Sequence, residues 1–274
     1  MSFLDNSNFI LITLDSCRWD TFNVSNSKFM KSTNAFKKAY SQGTFTLPSH
    51  ISMFSGIFPH SFEKINLYNR FQKNLFWLIE GRKGVTPYSK FSPPPKNIIS
   101  GFKEKGFNCI GTGAVEWFSS ELLTCDFDEF FYSGIHAEEQ VKFCLERIKS
   151  TEKFFHFINF GETHEPYKHG GKIEKSTISR ARMRNNENVG FIEEDFLKQV
   201  SSVEFLDSII ELYLKEVSRK TNYNTIVLIC ADHGECFGED GLYGHGFYHE
   251  KVMEVPLAIF KVLKGGKVEH LSTE

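Results

Sequence analysis

Asp232 and His233 stand side by side at the end of an apolar run, TIVLICA, that reads as a buried strand from 225 to 231. A carboxylate and an imidazole are both strong metal ligands. The carboxyl edge of an open α/β sheet is where such groups meet a ligand, and a core does not hold them there without something to compensate them. Twelve residues past His233 comes a second glycine-flanked histidine, in Gly244-His245-Gly246. Two other apolar runs end the same way: residues 8–14 stop at Asp15, and residues 154–160 are followed by Glu162 and His164. A fourth segment, TFTLPSH, sets Thr46 just ahead of Pro48, which suits the first turn of a helix. A hydroxyl there faces the backbone N–H groups and positive dipole end that stabilise anions. Beside a divalent cation it becomes accessible as an alkoxide near neutral pH. Two carboxylates, one imidazole and one alkoxide form a mostly hard donor set. Mn2+ or Zn2+ is the expected ion, and Ca2+ and Mg2+ also match such donors.

The elements that must position these groups alternate between strands and helices. Residues 8–14, 107–111, 154–160, 225–231 and 255–260 read as strands. Helical spacing covers 32–41, a helix near Pro48 running to 55, then 97–105, 138–149 and 193–217. In the last of these Phe196, Val200, Val203, Leu206, Ile210, Tyr213 and Val217 share a face, and the acidic start Glu193-Glu194-Asp195 suits the helix dipole. Such alternation predicts a three-layer α/β/α sandwich around a largely parallel sheet. Residues 60–96, closing with three prolines at 93–95, read as one inserted loop region, and 165–192 as a second. The segment from Lys264 on reads as a disordered or surface-bound tail.

Composition narrows the class. A chain of 274 residues can bury one large core and reads as a single catalytic domain over 1–274. The net charge of −2 gives no reason to expect nucleic acid. The 29 phenylalanines predict a heavily aromatic core. The six cysteines are scattered without a CxxC pair, as in a reducing compartment. No basic leader or long apolar run is present, so neither a signal peptide nor membrane insertion is expected. The expectation is a cytoplasmic protein, its oligomeric state open.

NFILITLDSCRWD, TLPSHISMFSGIFPH and ADHGE…GHG…EVPLAIF together resemble the sulfatase branch of the alkaline phosphatase superfamily. Order and spacing carry the resemblance across nearly the whole chain. It implies the alkaline-phosphatase-like sandwich acting on a small anionic ester, with Asp15, Asp232, His233 and Thr46 at a catalytic metal and Thr46 as nucleophile. It also implies that His164, ahead of Pro166-Tyr167, and His245 contact the transferred group, protonate the leaving group, or reach a second metal. Sulfatases carry a cysteine, oxidised to formylglycine, in Cys-x-Pro-Ser-Arg; this chain reads Thr46-Leu47-Pro48-Ser49-His50. Formylglycine chemistry is therefore excluded, and the threonine resembles the phosphodiesterase, phosphonate hydrolase and phosphoethanolamine or glycerol-phosphate transferase relatives. Asp15-Ser16, in place of paired acids, weakens the case for calcium. The C-terminal subdomain of full-length sulfatases is not expected here.

The expected activity is metal-dependent hydrolysis or transfer of phosphate-type (or sulfate) esters. The alternatives are a biosynthetic phosphotransferase or mutase using a second acceptor, and a non-catalytic metal-binding relative. Ser49 and His50 are candidates for orienting Thr46. Asp207 reads as a structural tie rather than a ligand. Glu162, His169 and His249 are minor candidates for a second metal site, and Cys230 and Cys236 are poorer ones still. The basic run Lys168, Lys172, Lys175, Arg180, Arg182 and Arg184 reads as a solvated loop, with an anion-attracting lid as the alternative.

Overall fold

A computed structural model describes residues 6–56, 96–167, 169 and 190–271. The expected basic run, the three prolines and nearly all of both loop insertions lie outside these residues.

The sheet is built from β1 (Ser7–Leu14), β2 (Lys37–Tyr40), β3 (Asn108–Gly113), β4 (Glu129–Tyr132), β5 (Phe154–Phe160), β6 (Asn224–Ala231), β9 (Glu254–Val262) and β10 (Val268–His270). Of these, β1, β3, β5 and β6 are mostly buried, and β2, β4 and β10 are more exposed edge segments. A separate two-stranded ribbon pairs β7 (Cys236–Phe237) with β8 (Tyr243–Gly244). The main sheet runs β10-β9-β6-β1-β5-β3-β4, with β2 also on β9. From β6 to β4 every pairing is parallel, and β9 turns antiparallel against β6. This is the expected α/β/α sandwich with a largely parallel centre.

Helices cover both faces: α1 (Trp19–Val24), α2 (Lys28–Ser32), α3 (Thr46–Ser55), α4 (Ile98–Glu104), α5 (Ala137–Glu146), α6 (Glu193–Lys220) and α7 (Glu250–Met253). Side chains alternate along each strand. Ile10, Ile12 and Leu14 of β1 therefore face α6 together with Ile158, Phe160, Val227 and Ile229. Leu11, Phe155 and Phe157 face α3 and α4 with Leu47, Ile51, Phe54, Ile99 and Phe102. The phenylalanines concentrate on the second face. Phe102 stacks on Phe155 at 4.5 Å, and Phe54 meets Phe157 edge-on at 5.0 Å. Each such side chain contributes about 1.5–3 kcal/mol through burial, and favourable ring geometry adds about 0.5–1.5 kcal/mol per pair.

Two expectations need correction. Residues 32–41 are not one helix: α2 ends at Ser32, and Lys37–Tyr40 pairs antiparallel with β9. The spacing is helix-compatible, but an open edge of β9 accepts the segment, and tertiary pairing outweighs propensity. Nor is the segment after Lys264 a loose tail, since β10 folds back on β9 with Val268 opposite Val262. Gly265 and Gly266, both at φ +93°, make the turn. No described helix is long and apolar enough to cross a membrane.

Candidate active site

Register brings the first ligands together. Leu14 of β1 is level with Ala231 of β6 and with Phe160 of β5, so the next residues, Asp15 and Asp232, leave the sheet at one height. His233 follows directly. Behind it Gly234 packs so close to Lys251 that a Cβ would strike the Lys251 carbonyl, and its N–H donates to Val252 O at 2.7 Å. Asp15, Asp232 and His233 offer ligand atoms within 4.8 Å of one another and are buried. Among the described residues they form the only such group of metal-type donors.

Thr46 is the first residue of α3, and its Oγ1 lies 3.5 Å from Asp15 Oδ2 and 3.4 Å from His233 Nε2. His233 Nδ1 lies 2.9 Å from Gly234 O, an acceptor only, so Nδ1 carries the proton and the Nε2 lone pair faces the site. Asp232 Oδ1 accepts from the N–H groups of Ser16 (3.1 Å) and His233 (3.0 Å). Its Oδ2, buried and 3.5 Å from His233 Nε2, has no hydrogen-bond donor among the described residues. Burial and the neighbouring Asp15 charge push the Asp232 carboxyl well up. Burial also opposes the charge on Asp15, but His164, His233 and His50 and the Asn159 amide outweigh it and hold that carboxyl down. Burial lowers His233 to about 3. Two buried carboxylates, one with an undonated oxygen, and a neutral imidazole with its lone pair turned inward form a donor set that fits a divalent cation.

The outer histidines stand beside this group. The His245 ring centroid is 4.4 Å from that of His233 and 5.4 Å from that of His164. His164 Nδ1 is 2.6 Å from the acceptor-only Glu165 O, which leaves Nε2 as its proton-accepting atom. His245 follows the β7–β8 ribbon, and Gly246 N donates to Thr44 O at 2.8 Å, tying the ribbon to the loop that carries Thr46. Arg18, almost wholly buried, anchors the ribbon. It pairs with Asp20 at 2.7 Å and Glu239 at 2.7 Å and lies 4.5 Å from the Phe237 ring.

Several residues at the site were missed from sequence. Thr13, Asn159 and Gln199 are fully buried. Gln199 Nε2 donates to Ser16 O and Thr163 O, both at 2.9 Å, joining the loops after β1 and β5. Tyr167 donates to Glu235 Oε1 at 2.6 Å. The available signal was a polar residue inside an apolar strand, Thr13 in ILITL and Asn159 in FFHFINF. His50, a candidate for orienting Thr46, lies within reach of its backbone. Ser49 is buried 3.4 Å from Ser41, which in turn bonds to the Asp232 carbonyl. The suggested second metal site is not assembled. Glu162 accepts from Ala137 N at 2.8 Å, His169 lies 3.1 Å from Ser201, and His249 lies 3.3 Å from Asp240. Burial raises the Cys230 thiol to about 12 and pushes Cys236 up as well, and among the described residues neither thiol joins the Asp15, Asp232 and His233 group.

A parallel-centred sandwich with buried acids and imidazoles on its carboxyl edge defines an alkaline-phosphatase-like domain. The chain belongs to the sulfatase family, whose model matches residues 7–260. No curated protein matches in sequence. Three solved structures illustrate the fold. The periplasmic domain of phosphoethanolamine transferase EptC from Campylobacter jejuni has TM-score 0.63 at 15% identity, covering 93% of this chain and 79% of that one. Phosphoglycerol transferase GacH from Streptococcus pyogenes, in complex with sn-glycerol-1-phosphate, has TM-score 0.58 at 12% identity, covering 99% and 72%. The periplasmic domain of EptC from Escherichia coli, in complex with zinc, has TM-score 0.58 at 12% identity, covering 95% and 74%.

Proposed function

We propose that this protein is a metal-dependent transferase or hydrolase of phosphate-type esters, with Thr46 as nucleophile and Asp15, Asp232 and His233 as the protein's metal ligands. The carrying observation is the position of Thr46 Oγ1, at the start of α3 and within 3.5 Å of both Asp15 Oδ2 and His233 Nε2. The zinc-bound fold neighbour and the mixed carboxylate–imidazole donors support Zn2+, with Mn2+ as the alternative. A bound cation would lower the pKa of the hydroxyl and offset negative charge on the transferred group.

The chain's own residues do the rest. Thr46 Oγ, its proton already lost to solvent, attacks phosphorus as the ester P–O bond breaks. The departing oxygen takes a proton from His164 or His245 once that histidine has taken one up from solvent, at Nε2 in His164; the two rings stand together beside His233. The first-turn N–H groups of α3 face the non-bridging oxygens. An acceptor oxygen or nitrogen then attacks the phosphothreonine, giving its proton to the same histidine, and the Oγ–P bond breaks to restore the Thr46 oxygen. The transferases among the fold neighbours support an alcohol or amine acceptor over water. Product formed from water alone, unchanged by added acceptor, would favour hydrolysis. The six unpaired thiols support a reducing, cytoplasmic setting.

Thr46→Ala tests the nucleophile. Turnover of bis(p-nitrophenyl) phosphate is expected to fall by about a thousandfold or more, while zinc content of the purified variant matches wild type. An active Thr46→Ala enzyme would overturn the covalent route.

A further inference from the structure

Behind Thr46 lies a set of polar side chains that the proposed chemistry does not use. Thr13 and Asn159 face each other across the β1–β5 pairing, on the aromatic side of the sheet where Leu11 and Phe157 precede them. His50 lies one turn into α3, with its ring edge-on to Phe118 at 5.0 Å and to Phe157 at 5.7 Å. All three are fully buried.

Their donor directions are determined by chemistry. The Thr46 carbonyl can only accept, so His50 Nδ1, 2.8 Å away, carries the proton. In the neutral ring Nε2 is then an acceptor, and the Thr13 hydroxyl 3.1 Å away must donate to it. Thr13 Oγ1 in turn accepts from Asn159 Nδ2 at 3.0 Å. The second hydrogen of that amide goes to Asp15 Oδ2 at 3.2 Å. Ala114 N donates to Asn159 Oδ1 at 3.4 Å, which fixes the amide's orientation. Asp15 Oδ2 is the same oxygen that Thr46 Oγ1 approaches at 3.5 Å. The path leaves Thr46 by its carbonyl and returns to its hydroxyl, passing through one metal-ligand carboxylate.

We propose that Thr13, His50 and Asn159 are positioning residues, forming a closed hydrogen-bond ring in which Asn159 donates both ways, to Thr13 and to Asp15, and which holds Thr46 and Asp15 at a fixed separation. The inference rests on the reading of Asp15 as a metal ligand and Thr46 as the nucleophile. Each member bonds to two others of the set, and the Phe118 and Phe157 rings flank His50 on its inner side. Removing the Thr13 hydroxyl leaves His50 Nε2 without a donor and Asn159 Nδ2 with one acceptor fewer, so His50 is held only through Thr46 O and Asn159 only through Ala114 N and Asp15. Asp15 is then held less tightly, although its own atoms are unchanged.

The test compares wild type with Thr13→Val, which is nearly isosteric, and Thr13→Ser, which restores the hydroxyl. Zinc affinity is measured by competition with a chromophoric chelator, and kcat and KM with bis(p-nitrophenyl) phosphate. The valine variant is expected to bind zinc about 10–100-fold more weakly, and to lose a similar factor in kcat at unchanged KM when saturated with zinc. The serine variant is expected to recover both. If valine at 13 prevents folding, Thr13→Ser against Thr13→Ala gives the same comparison, since both lack the methyl and only one keeps the hydroxyl. Wild-type zinc affinity in Thr13→Val, or equal losses in the serine and alanine variants, overturns the ring while leaving the metal reading intact. A wild-type protein that binds no zinc overturns both.

Discussion

Asp232 holds two conditions in tension: an ordered Oδ1 with two backbone donors, and a buried Oδ2 with none among the described residues. A second carboxylate nearby raises the cost of its charge. Asp232→Asn removes the charge and keeps Oδ1 as acceptor, and the new amide hydrogens face His233 Nε2, an acceptor in the assigned tautomer. The metal-free variant is expected to melt about 3 °C or more above metal-free wild type, while added zinc no longer raises its melting temperature. Equal zinc-induced stabilisation in both proteins would remove Asp232 from the ligand set. Stability and function thus oppose each other at this residue, as expected where a site is organised around a ligand.

At the level of elements, the site depends on short segments that cannot hold themselves. Helix α2 spans five residues, and its N-cap, Ser27, makes no side-chain capping bond. Asp207 on α6 supplies the cap instead: Oδ1 accepts from Met30 N at 2.7 Å and Oδ2 from Phe29 N at 3.0 Å. The expectation that Asp207 is a tie rather than a ligand matches this placement. Asp207→Ala removes charged acceptors from two buried N–H groups, at a cost of about 1.5–3 kcal/mol. Asp207→Asn keeps one acceptor and is expected to fall between alanine and wild type in thermal unfolding. If alanine at 207 melts with wild type, the tie contributes nothing. Gln199 does comparable work for the loops after β1 and β5, so α6 braces the site along much of its length without supplying a ligand.

For the whole molecule, the parallel centre of the sheet was legible in its apolar runs; Asp15, His164, Asp232 and His233 were marked out by the runs before them, Thr46 by the helix start at Pro48, and His245 by its flanking glycines. Strands β2, β4 and β10 were not, because short edge segments carry no distinctive period and are decided by the strand they meet. The buried polar residues were hidden for a related reason: Thr13, Asn159 and Gln199 gain meaning only through partners distant in sequence. Burial of such groups also sets how global stability responds to pH. His156, bonded to Tyr213 at 2.7 Å, is lowered by burial to about 3, so its contribution is present above about pH 6.5 and is lost as pH falls toward 3. Glu162 has the opposite sign. Burial raises it from 4.5 to about 7, so its contribution is complete below the unfolded value and is lost as pH rises through 7. The loss is on the order of 3 kcal/mol. Glu162→Gln keeps an acceptor for the Ala137 N–H, which opens α5, and has no proton to lose. The difference in unfolding free energy between wild type and Glu162→Gln is therefore expected to shift against wild type between pH 5 and 8, measured by denaturant unfolding of the metal-free proteins. The His156 contribution cancels in that difference. Parallel pH profiles for the two proteins would show that Glu162 keeps its ordinary acidity in the fold, with its charge met by water or by a donor outside the described residues.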